Sequence, residues 1–273
     1  MTFDDVFEAY IAISKKYGLN AAFSCHTDLE RHVFFRGRAP APTELRPLEN
    51  VFSYPPPQFC RSYGRANLPR QPVLYAAETP ETIADELRLS DEAWLHIAVF
   101  YTPEPVVMKV MPFLHSGFTA ENEWSELRDA FKTFVEEGGD ARFGVKPVPL
   151  RFTRIEALAM AFRGDDYAET AILAHYWLNN PRPELKADAI VYPSVRRDDA
   201  CNFAIASGFV DAHLRLFRVF LCRFAGGRFQ VESTGEVSVG GSLWWREPNE
   251  DDRGHWYAGF AALGDGECDS IEG

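Results

Sequence analysis

The chain has 273 residues, with 28 Lys and Arg against 40 Asp and Glu, and therefore a formal net charge of −12. Such a chain repels nucleic-acid phosphates, so its charge excludes a non-specific nucleic-acid binder. Hydrophobic residues make up 46% and aromatic residues 14% of the chain, which excludes wholesale disorder. The length and the lack of an obvious linker predict one domain.

Cysteine and histidine usage bears on the compartment and on metal binding. No CxxC pair occurs, and the seven histidines show no ligand spacing, so no metal site is predicted. The N-terminus MTFDDVFEAY lacks the pattern of a signal peptide, and no apolar run approaches the about 18 residues that span a bilayer. We therefore expect a cytoplasmic protein without a membrane partner, in which the five cysteines are free thiols. These are Cys25, Cys60, Cys201, Cys222 and Cys268.

The first elements follow from periodicity and capping residues. Residues 3–17 carry apolar side chains at helical spacing and predict a helix, and a second short helix is predicted after residues 26–28. Residues 36–70 are rich in Pro and Arg without periodicity, which predicts a long ordered loop. A buried strand is predicted over residues 72–77, followed by a helix that begins at Thr79 and Pro80.

The second half of the chain alternates helical and extended patterns. Residues 95–100 and 105–110 predict a strand pair. Residues 120–137 and 167–178 predict helices, and further strands are predicted over residues 189–194, 214–225 and 228–245. The pattern as a whole predicts an α+β fold, a single domain with a mixed central sheet and flanking helices.

Three short stretches contain candidate chemistry. The sequence Gly-Arg-Ala-Asn at 64–67 precedes the strand at 72–77, Glu86 lies on the following helix, and Tyr-Pro-Ser at 192–194 is followed by Asn202. Each also has an ordinary interpretation. A loop Arg is commonly a surface charge, a helical Glu commonly pairs along a solvated face, and Tyr-Pro-Ser is common turn chemistry.

Taken together, these stretches resemble the RES domain family, which is named after an Arg, a Glu and a Ser. The resemblance covers roughly residues 34–225, and the sequences at 35–38 and 53–56 look like the entry segment of longer members. One departure is Ala66, where many relatives carry Trp, which puts the packing around the neighbouring Arg in doubt. The positions that match the family pattern are Arg65, Tyr75, Glu86, Ser194 and Asn202.

The resemblance implies a fold similar to ADP-ribosyltransferases and NAD⁺ as the substrate, with no metal. Members break the bond between nicotinamide and ribose, and the acceptor is water or phosphate. Alternatives are transfer of ADP-ribose to a protein, or a non-catalytic module that senses NAD⁺. The family also implies a growth-arresting toxin with an antitoxin protein as partner, and we further expect a homodimer.

The resemblance leaves both ends of the chain outside it. We expect residues 34–225 to form the NAD-binding catalytic core and residues 1–33 an N-terminal helical segment. Residues 226–273 are expected to supply C-terminal strands and an acidic tail of the same globular unit. The two ends could complete the core, form a dimer contact or regulate access.

The charged residues of the pattern have implied roles in that reaction. Arg65 is expected to hold the pyrophosphate of NAD⁺ with its planar guanidinium, with Arg36 or Arg38 as helpers. Glu86 is expected to stabilise the ribosyl cation and to orient an acceptor water. Residues 36–70 contain six Arg and two Glu, a net +4, whereas the other 238 residues sum to −16. This basic stretch is therefore the expected docking place of the dinucleotide.

The uncharged residues have implied roles as well. Tyr75 is expected to stack on the nicotinamide ring, with a buried core tyrosine as the alternative. The Ser194 hydroxyl is expected to donate to ribose or phosphate. Asn202 is expected to support that loop, with the bracing of a turn as the alternative.

Overall fold

The computed structural model describes residues 2–17, 25–29, 32–39, 51–120, 122–136, 151–238, 242–250 and residue 252. These residues form one ten-stranded sheet, six α-helices and a short 3₁₀ helix at Pro57–Phe59. The helices are α1 (Phe3–Tyr17), α2 (Pro80–Leu87), α3 (Glu123–Glu136), α4 (Arg151–Arg163), α5 (Tyr167–Leu178) and α6 (Ser207–His213).

The strands are β1 (Cys25–Leu29), β2 (Val33–Arg38), β3 (Val73–Ala77), β4 (Ala93–Tyr101), β5 (Val106–Pro112), β6 (Ala189–Pro193), β7 (Cys201–Ala206), β8 (Arg215–Ala225), β9 (Arg228–Val237) and β10 (Leu243–Arg246). Their order is β1-β5-β6-β7-β3-β2-β4-β8-β9-β10. The β5–β6 pair is parallel, and the other neighbours are antiparallel. The mixed sheet confirms the predicted α+β class.

Two groups of helices cover one face of the sheet and leave a gap between them. The apolar sides of α1, α4 and α5 pack over β3, β6 and β7, and Tyr75 packs against this cluster. Ala77, two residues further along β3, belongs to a separate cluster with Ile83 of α2. Because alternate residues of a strand face the same side, both clusters lie on one face. Helices α3 and α6 pack on the opposite face.

The predicted helices over residues 3–17, 120–137 and 167–178 are confirmed, as are the strand before Thr79 and the helix after it. Thr79 caps α2, since its hydroxyl accepts from the main-chain N of Thr82 at 3.3 Å. The short helix predicted after residues 26–28 is wrong, because β1 occupies residues 25–29 and pairs with β5. Of the predicted long loop at 36–70, β2 takes the first residues and residues 40–50 lie outside the described part.

The predicted strands at 95–100 and 105–110 exist, but they do not pair with each other. β4 lies between β2 and β8, whereas β5 lies between β1 and β6. Sequence patterning identifies a buried strand without identifying its partner. Helix α4 was not predicted, because its apolar residues form no single stripe.

The chain outside residues 34–225 also contributes to the sheet and its cover. β1 forms one edge, α1 packs against α5, and β9 and β10 extend the sheet beyond β8. Residues 253–273, which include most of the predicted acidic tail, lie outside the described residues. Within the described part of the chain, no helix is long and apolar enough to cross a membrane.

Candidate functional site

A cavity of about 350 Å³ lies over the central strands, in the gap between the two helix groups. Its volume falls in the range of ligand-binding pockets. Strands β2, β3, β6 and β7, helix α2, the start of α5 and the loop before β3 supply its walls. The structure brings together four of the predicted residues and adds two tyrosines, so that the polar lining includes Arg65, Tyr75, Glu86, Asn202, Tyr167 and Tyr192.

The Glu86 carboxylate is held through one of its two oxygens. Its Oε1 accepts hydrogen bonds from Ser194 Oγ at 2.7 Å, from the main-chain N of Val195 at 3.0 Å and from Asn202 Nδ2 at 2.8 Å. None of the described residues donates to Oε2. Three donors on one oxygen fix the orientation of the group, so Oε2 remains available to a ligand in the cavity.

The position of Glu86 in its helix is unfavourable without those donors. It lies in the last turn of α2, which ends where Arg88 adopts a left-handed conformation with φ 51°. The C-terminal end of a helix carries partial negative charge, which repels a carboxylate. The hydrogen bonds from residues 194–202 offset that repulsion. A local preference overridden in this way is typical of a functional residue.

Ser194 lies behind the carboxylate rather than in the cavity wall. Its side chain is completely buried, and its hydroxyl donates to Glu86. The same hydroxyl oxygen accepts from the main-chain N of Arg196 at 3.2 Å and of Arg197 at 3.3 Å. The expectation that this hydroxyl donates to ribose or phosphate is therefore corrected, because its one proton is already used. Ser194 is a positioning residue for Glu86.

Asn202 lines the cavity and also donates to the carboxylate. It lies on β7 directly opposite Tyr192 of β6. The alternative in which Asn202 only braces a turn is therefore wrong. Its amide belongs to the set of donors that orients Glu86.

Arg65 combines a structural role with an open edge. Its Nη1 donates to the carbonyl oxygens of Phe162 and Gly164, the latter at 3.1 Å, and its Nη2 donates to the Tyr167 hydroxyl at 3.4 Å. The guanidinium also lies 5.0 Å from the centre of the Tyr167 ring. Within the described part of the chain, Nε has no hydrogen-bond partner. The edge formed by Nε and Nη2 can therefore bind an anion in the cavity.

The structure does not bring Arg36 and Arg38 to the cavity, which corrects their predicted role as helpers. Both alternate along β2 with Gly37, which lines the cavity, so their side chains leave the opposite face of the sheet. Arg36 Nη1 donates to the Tyr75 carbonyl oxygen at 3.0 Å, and Arg38 donates to the Val51 carbonyl oxygen. Burial lowers the pKa of Arg36 to about 10, so it is still cationic at neutral pH.

Tyr75 fastens the loop that carries Arg65. Its hydroxyl donates to Asn67 Oδ1 at 2.8 Å and accepts from the main-chain N of Ala66 at 2.8 Å. Burial raises the pKa of Tyr75, so the hydroxyl is neutral. Tyr75 lines the cavity while its hydroxyl is committed to the loop. Its stacking on a flat ligand stays a prediction.

Gly64→Ala is expected to break the hydrogen bonds that hold the Tyr75 hydroxyl to Ala66 and Asn67. A Cβ at Gly64 would lie 2.7 Å from the Tyr75 hydroxyl oxygen and would also clash with Asn67 Oδ1. We expect the free energy of unfolding to fall by about 2 kcal/mol, because buried hydrogen bonds are lost. Urea denaturation measures this value.

Gly208→Ala in α6 is the matched control, since a Cβ there meets no atom within 4 Å. This variant is expected to be at least as stable as the wild type, because Ala favours a helix over Gly. Equal stability of the Gly64 and Gly208 variants would contradict the proposed fastening.

Two cavity residues were missed by sequence reasoning. Tyr167 is the first residue of α5, where Asp166 caps the helix by accepting from the main-chain N of Ala168 at 3.2 Å. Nothing in the local pattern distinguishes it from an ordinary helical tyrosine. Tyr192 belongs to the Tyr-Pro-Ser stretch, which marks its position but does not indicate a role for its side chain.

The cavity thus pairs a carboxylate that has one free oxygen with a cation that has one open edge, and aromatic rings lie near both. Such a site suits a ligand that carries negative charge near Arg65 and develops positive charge near Glu86. Among the described residues, no cluster of three or more His, Cys, Asp or Glu side chains could hold a metal ion.

Comparison with known proteins gives a family for the chain. No curated protein and no solved structure matches it. The likeness of the fold to ADP-ribosyltransferases therefore stays a prediction. A family model described as "RES domain" matches residues 38–219, which include Arg65, Glu86 and Ser194. Since this match spans more than half of the chain and contains the carboxylate with its donors, the protein belongs to the RES domain family.

Proposed function

We propose that this protein cleaves the nicotinamide–ribose bond of NAD⁺ and that the resulting loss of NAD⁺ arrests growth. The observation that carries the proposal is the Glu86 carboxylate, with Oε1 held by three donors and Oε2 free beside a cavity that also contains Arg65. Membership of the RES domain family supports an NAD-related function of the toxin–antitoxin type.

The chemistry required of the carboxylate is stabilisation of positive charge. When the bond between ribose C1′ and the nicotinamide nitrogen breaks, the electron pair goes to nicotinamide, which leaves as a neutral molecule. The ribose is left with oxocarbenium character at C1′. Oε2 of Glu86 faces this charge, and its fixed orientation means that little reorganisation is needed in the transition state.

The acceptor then adds to C1′. A water oxygen bonds to C1′, and the water gives a proton to Oε2 of Glu86. The product is ADP-ribose, and Glu86 later releases the proton to solvent. Inorganic phosphate forms the corresponding bond through one of its oxygens and yields ADP-ribose phosphate. In both routes the bond from C1′ to nicotinamide is replaced by a bond from C1′ to an acceptor oxygen, with no change of oxidation state.

Binding of the substrate is assigned to the groups around the carboxylate. The open edge of Arg65 would donate hydrogen bonds to the pyrophosphate, and its contacts with Phe162 and Gly164 would hold the guanidinium in place. The Tyr75 ring would stack on nicotinamide, whose positive charge favours an aromatic face.

Incubation of the purified protein with NAD⁺, with and without inorganic phosphate, tests the proposal. We expect release of nicotinamide together with ADP-ribose or ADP-ribose phosphate, and the second product identifies the acceptor. Expression in cells should lower NAD⁺ and stop growth. If NAD⁺ stays intact with both acceptors, the proposed cleavage is wrong. If the ADP-ribose label appears on protein instead, the reaction is a transfer.

Ser194→Ala tests whether that serine acts through the carboxylate. Glu86 would keep Val195 N and Asn202 Nδ2 as donors but lose the hydroxyl at 2.7 Å. We expect kcat to fall by about 10- to 100-fold with little change in KM, because a hydrogen bond to a charged group contributes about 1.5–3 kcal/mol.

The double variant Glu86→Gln/Ser194→Ala supplies the control. If Ser194 only positions Glu86, the loss of the serine should cost almost nothing once the carboxylate is gone. Additive losses would instead indicate that Ser194 contacts the substrate.

A further inference from the structure

Tyr192 differs from the other two tyrosines of the cavity in the state of its hydroxyl. The Tyr75 hydroxyl is committed to the loop before β3, and the Tyr167 hydroxyl accepts from Arg65. The Tyr192 side chain lines the cavity and is only 4% exposed. Nevertheless, its hydroxyl makes no hydrogen bond with any residue that the structure describes.

The ring of Tyr192 is firmly placed. It lies on β6, an interior strand between β5 and β7, opposite Asn202 of β7. Its ring stacks on Phe162 of α4, with the centres 5.4 Å apart and the planes 27° from parallel. The hydroxyl therefore has little freedom to find another partner within the protein.

The hydroxyl is not one of the buried polar atoms that lack a partner, so it is reached from the cavity that the side chain lines. A ligand that fills the cavity must supply a partner for it, because a polar group shut off from solvent without a hydrogen bond costs free energy. Burial raises the pKa of Tyr192, so the group there is a neutral O–H donor. Such a hydroxyl can donate its proton to an oxygen of the ligand, and ribose and phosphate oxygens are acceptors of this kind.

The position of Tyr192 indicates which part of the ligand it meets. Its neighbour across the β6–β7 pair, Asn202, donates to Glu86. Its stacking partner Phe162 accepts from Arg65 through the main-chain carbonyl oxygen, so Tyr192 lies between residues that contact both charged groups. In the proposed reaction Glu86 faces ribose C1′ and Arg65 binds the pyrophosphate. The segment between these two points is the nicotinamide-bearing ribose and its phosphate ester.

We infer that the Tyr192 hydroxyl is a substrate-binding group that donates a hydrogen bond to an oxygen of the ribose–phosphate segment next to the scissile bond. This inference rests on the proposed cleavage of NAD⁺. The proposed hydrogen bond goes to the nicotinamide-bearing half of the substrate. It should therefore form equally well with a substrate that lacks the adenosine half.

Tyr192→Phe removes the hydroxyl and keeps the ring that stacks on Phe162. We expect kcat/KM for NAD⁺ to fall by about tenfold, the effect of one hydrogen bond. The same factor is expected with nicotinamide mononucleotide, which shares the ribose phosphate. We expect no fall in Tm, because the hydroxyl has no partner in the protein to lose.

Tyr176→Phe is the matched control. Tyr176 is also buried, at 7% exposure, but it packs against Tyr10 of α1 away from the cavity, with ring centres 3.7 Å apart. Removal of the Tyr176 hydroxyl should leave kcat/KM for NAD⁺ and for nicotinamide mononucleotide unchanged. The comparison separates the loss of a cavity hydroxyl from the general loss of a buried tyrosine oxygen.

The outcomes distinguish this inference from the proposed function. An active wild type with an unaffected Tyr192→Phe variant overturns the inference alone. A Tm lowered by several degrees also overturns it, since the hydroxyl would then have a protein partner. A wild type that leaves both NAD⁺ and nicotinamide mononucleotide intact refutes the proposed function and this inference with it.

Discussion

Replacing Glu86 with Gln is expected to lower kcat/KM for nicotinamide release from NAD⁺ by about 10³-fold. The amide has the shape of the carboxylate, and its carbonyl oxygen can take the place of Oε1 and accept the same three donors. The NH₂ group then occupies the place of Oε2. The substitution thus removes the negative charge from the cavity while the surrounding hydrogen bonds stay in place.

Glu81→Gln is the matched control, because Glu81 is exposed in the first turn of the same helix. Its activity should stay within about twofold of the wild type, as expected for a surface substitution. Initial rates of nicotinamide release and Tm should be measured for both variants. A Glu86→Gln variant that keeps its Tm and more than a tenth of the activity would show that the carboxylate does not carry the reaction.

Arg65→Lys is expected to lower kcat/KM by about 100-fold, largely through a higher KM. Lysine keeps the charge but loses the planar fork. The guanidinium contacts the carbonyl oxygens of Phe162 and Gly164 and still presents a second edge to the cavity. An ammonium group is too compact to do both, so it satisfies either the carbonyl groups or the substrate phosphates.

Arg61→Lys makes the same change at an exposed position of the same loop and should leave KM unchanged. Initial rates over a range of NAD⁺ concentrations separate kcat from KM for both variants. Equal KM values for the wild type and Arg65→Lys would contradict the assignment of Arg65 to the pyrophosphate.

Much of the site was predictable because its residues lie in short motifs with fixed local structure. Glu86 could be placed on a helix, since Thr79 and Pro80 mark where α2 begins. The sequence also shows that this position is unusual, because an acidic residue in the last turn of a helix opposes the helix dipole. The order of the motifs then indicated the family that the family model also matches.

Side-chain direction was not predictable to the same degree. Arg36 and Arg38 lie close to the motif in sequence, yet strand alternation turns both away from the cavity. To predict the direction of these side chains, one must know which face of β2 packs under α2. That face is determined by the pairing of β2 with β3 and β4. The +4 charge of residues 36–70 therefore does not measure the charge of the cavity, in which Arg65 is the one arginine of that stretch among the described residues.

The role of Ser194 was also out of reach, because a sequence shows that a hydroxyl is present but not what it contacts. A serine after a strand can meet a ligand or a neighbouring side chain with equal ease. The contact with Glu86 joins residues 108 positions apart. Such a pairing follows from the register of β6 and β7 against β3, which no local pattern encodes.

The same long-range contact sets the order in which the site can be completed during synthesis. The ribosome makes Arg65 and Glu86 early, but Ser194, Val195 and Asn202 follow more than a hundred residues later. At about 5–20 residues per second, the growing chain lacks the donors of Glu86 for several seconds or more. A nascent or prematurely terminated chain therefore lacks the donors that orient Glu86. Under the proposed function, cleavage of NAD⁺ would begin only after translation has passed the β6–β7 hairpin.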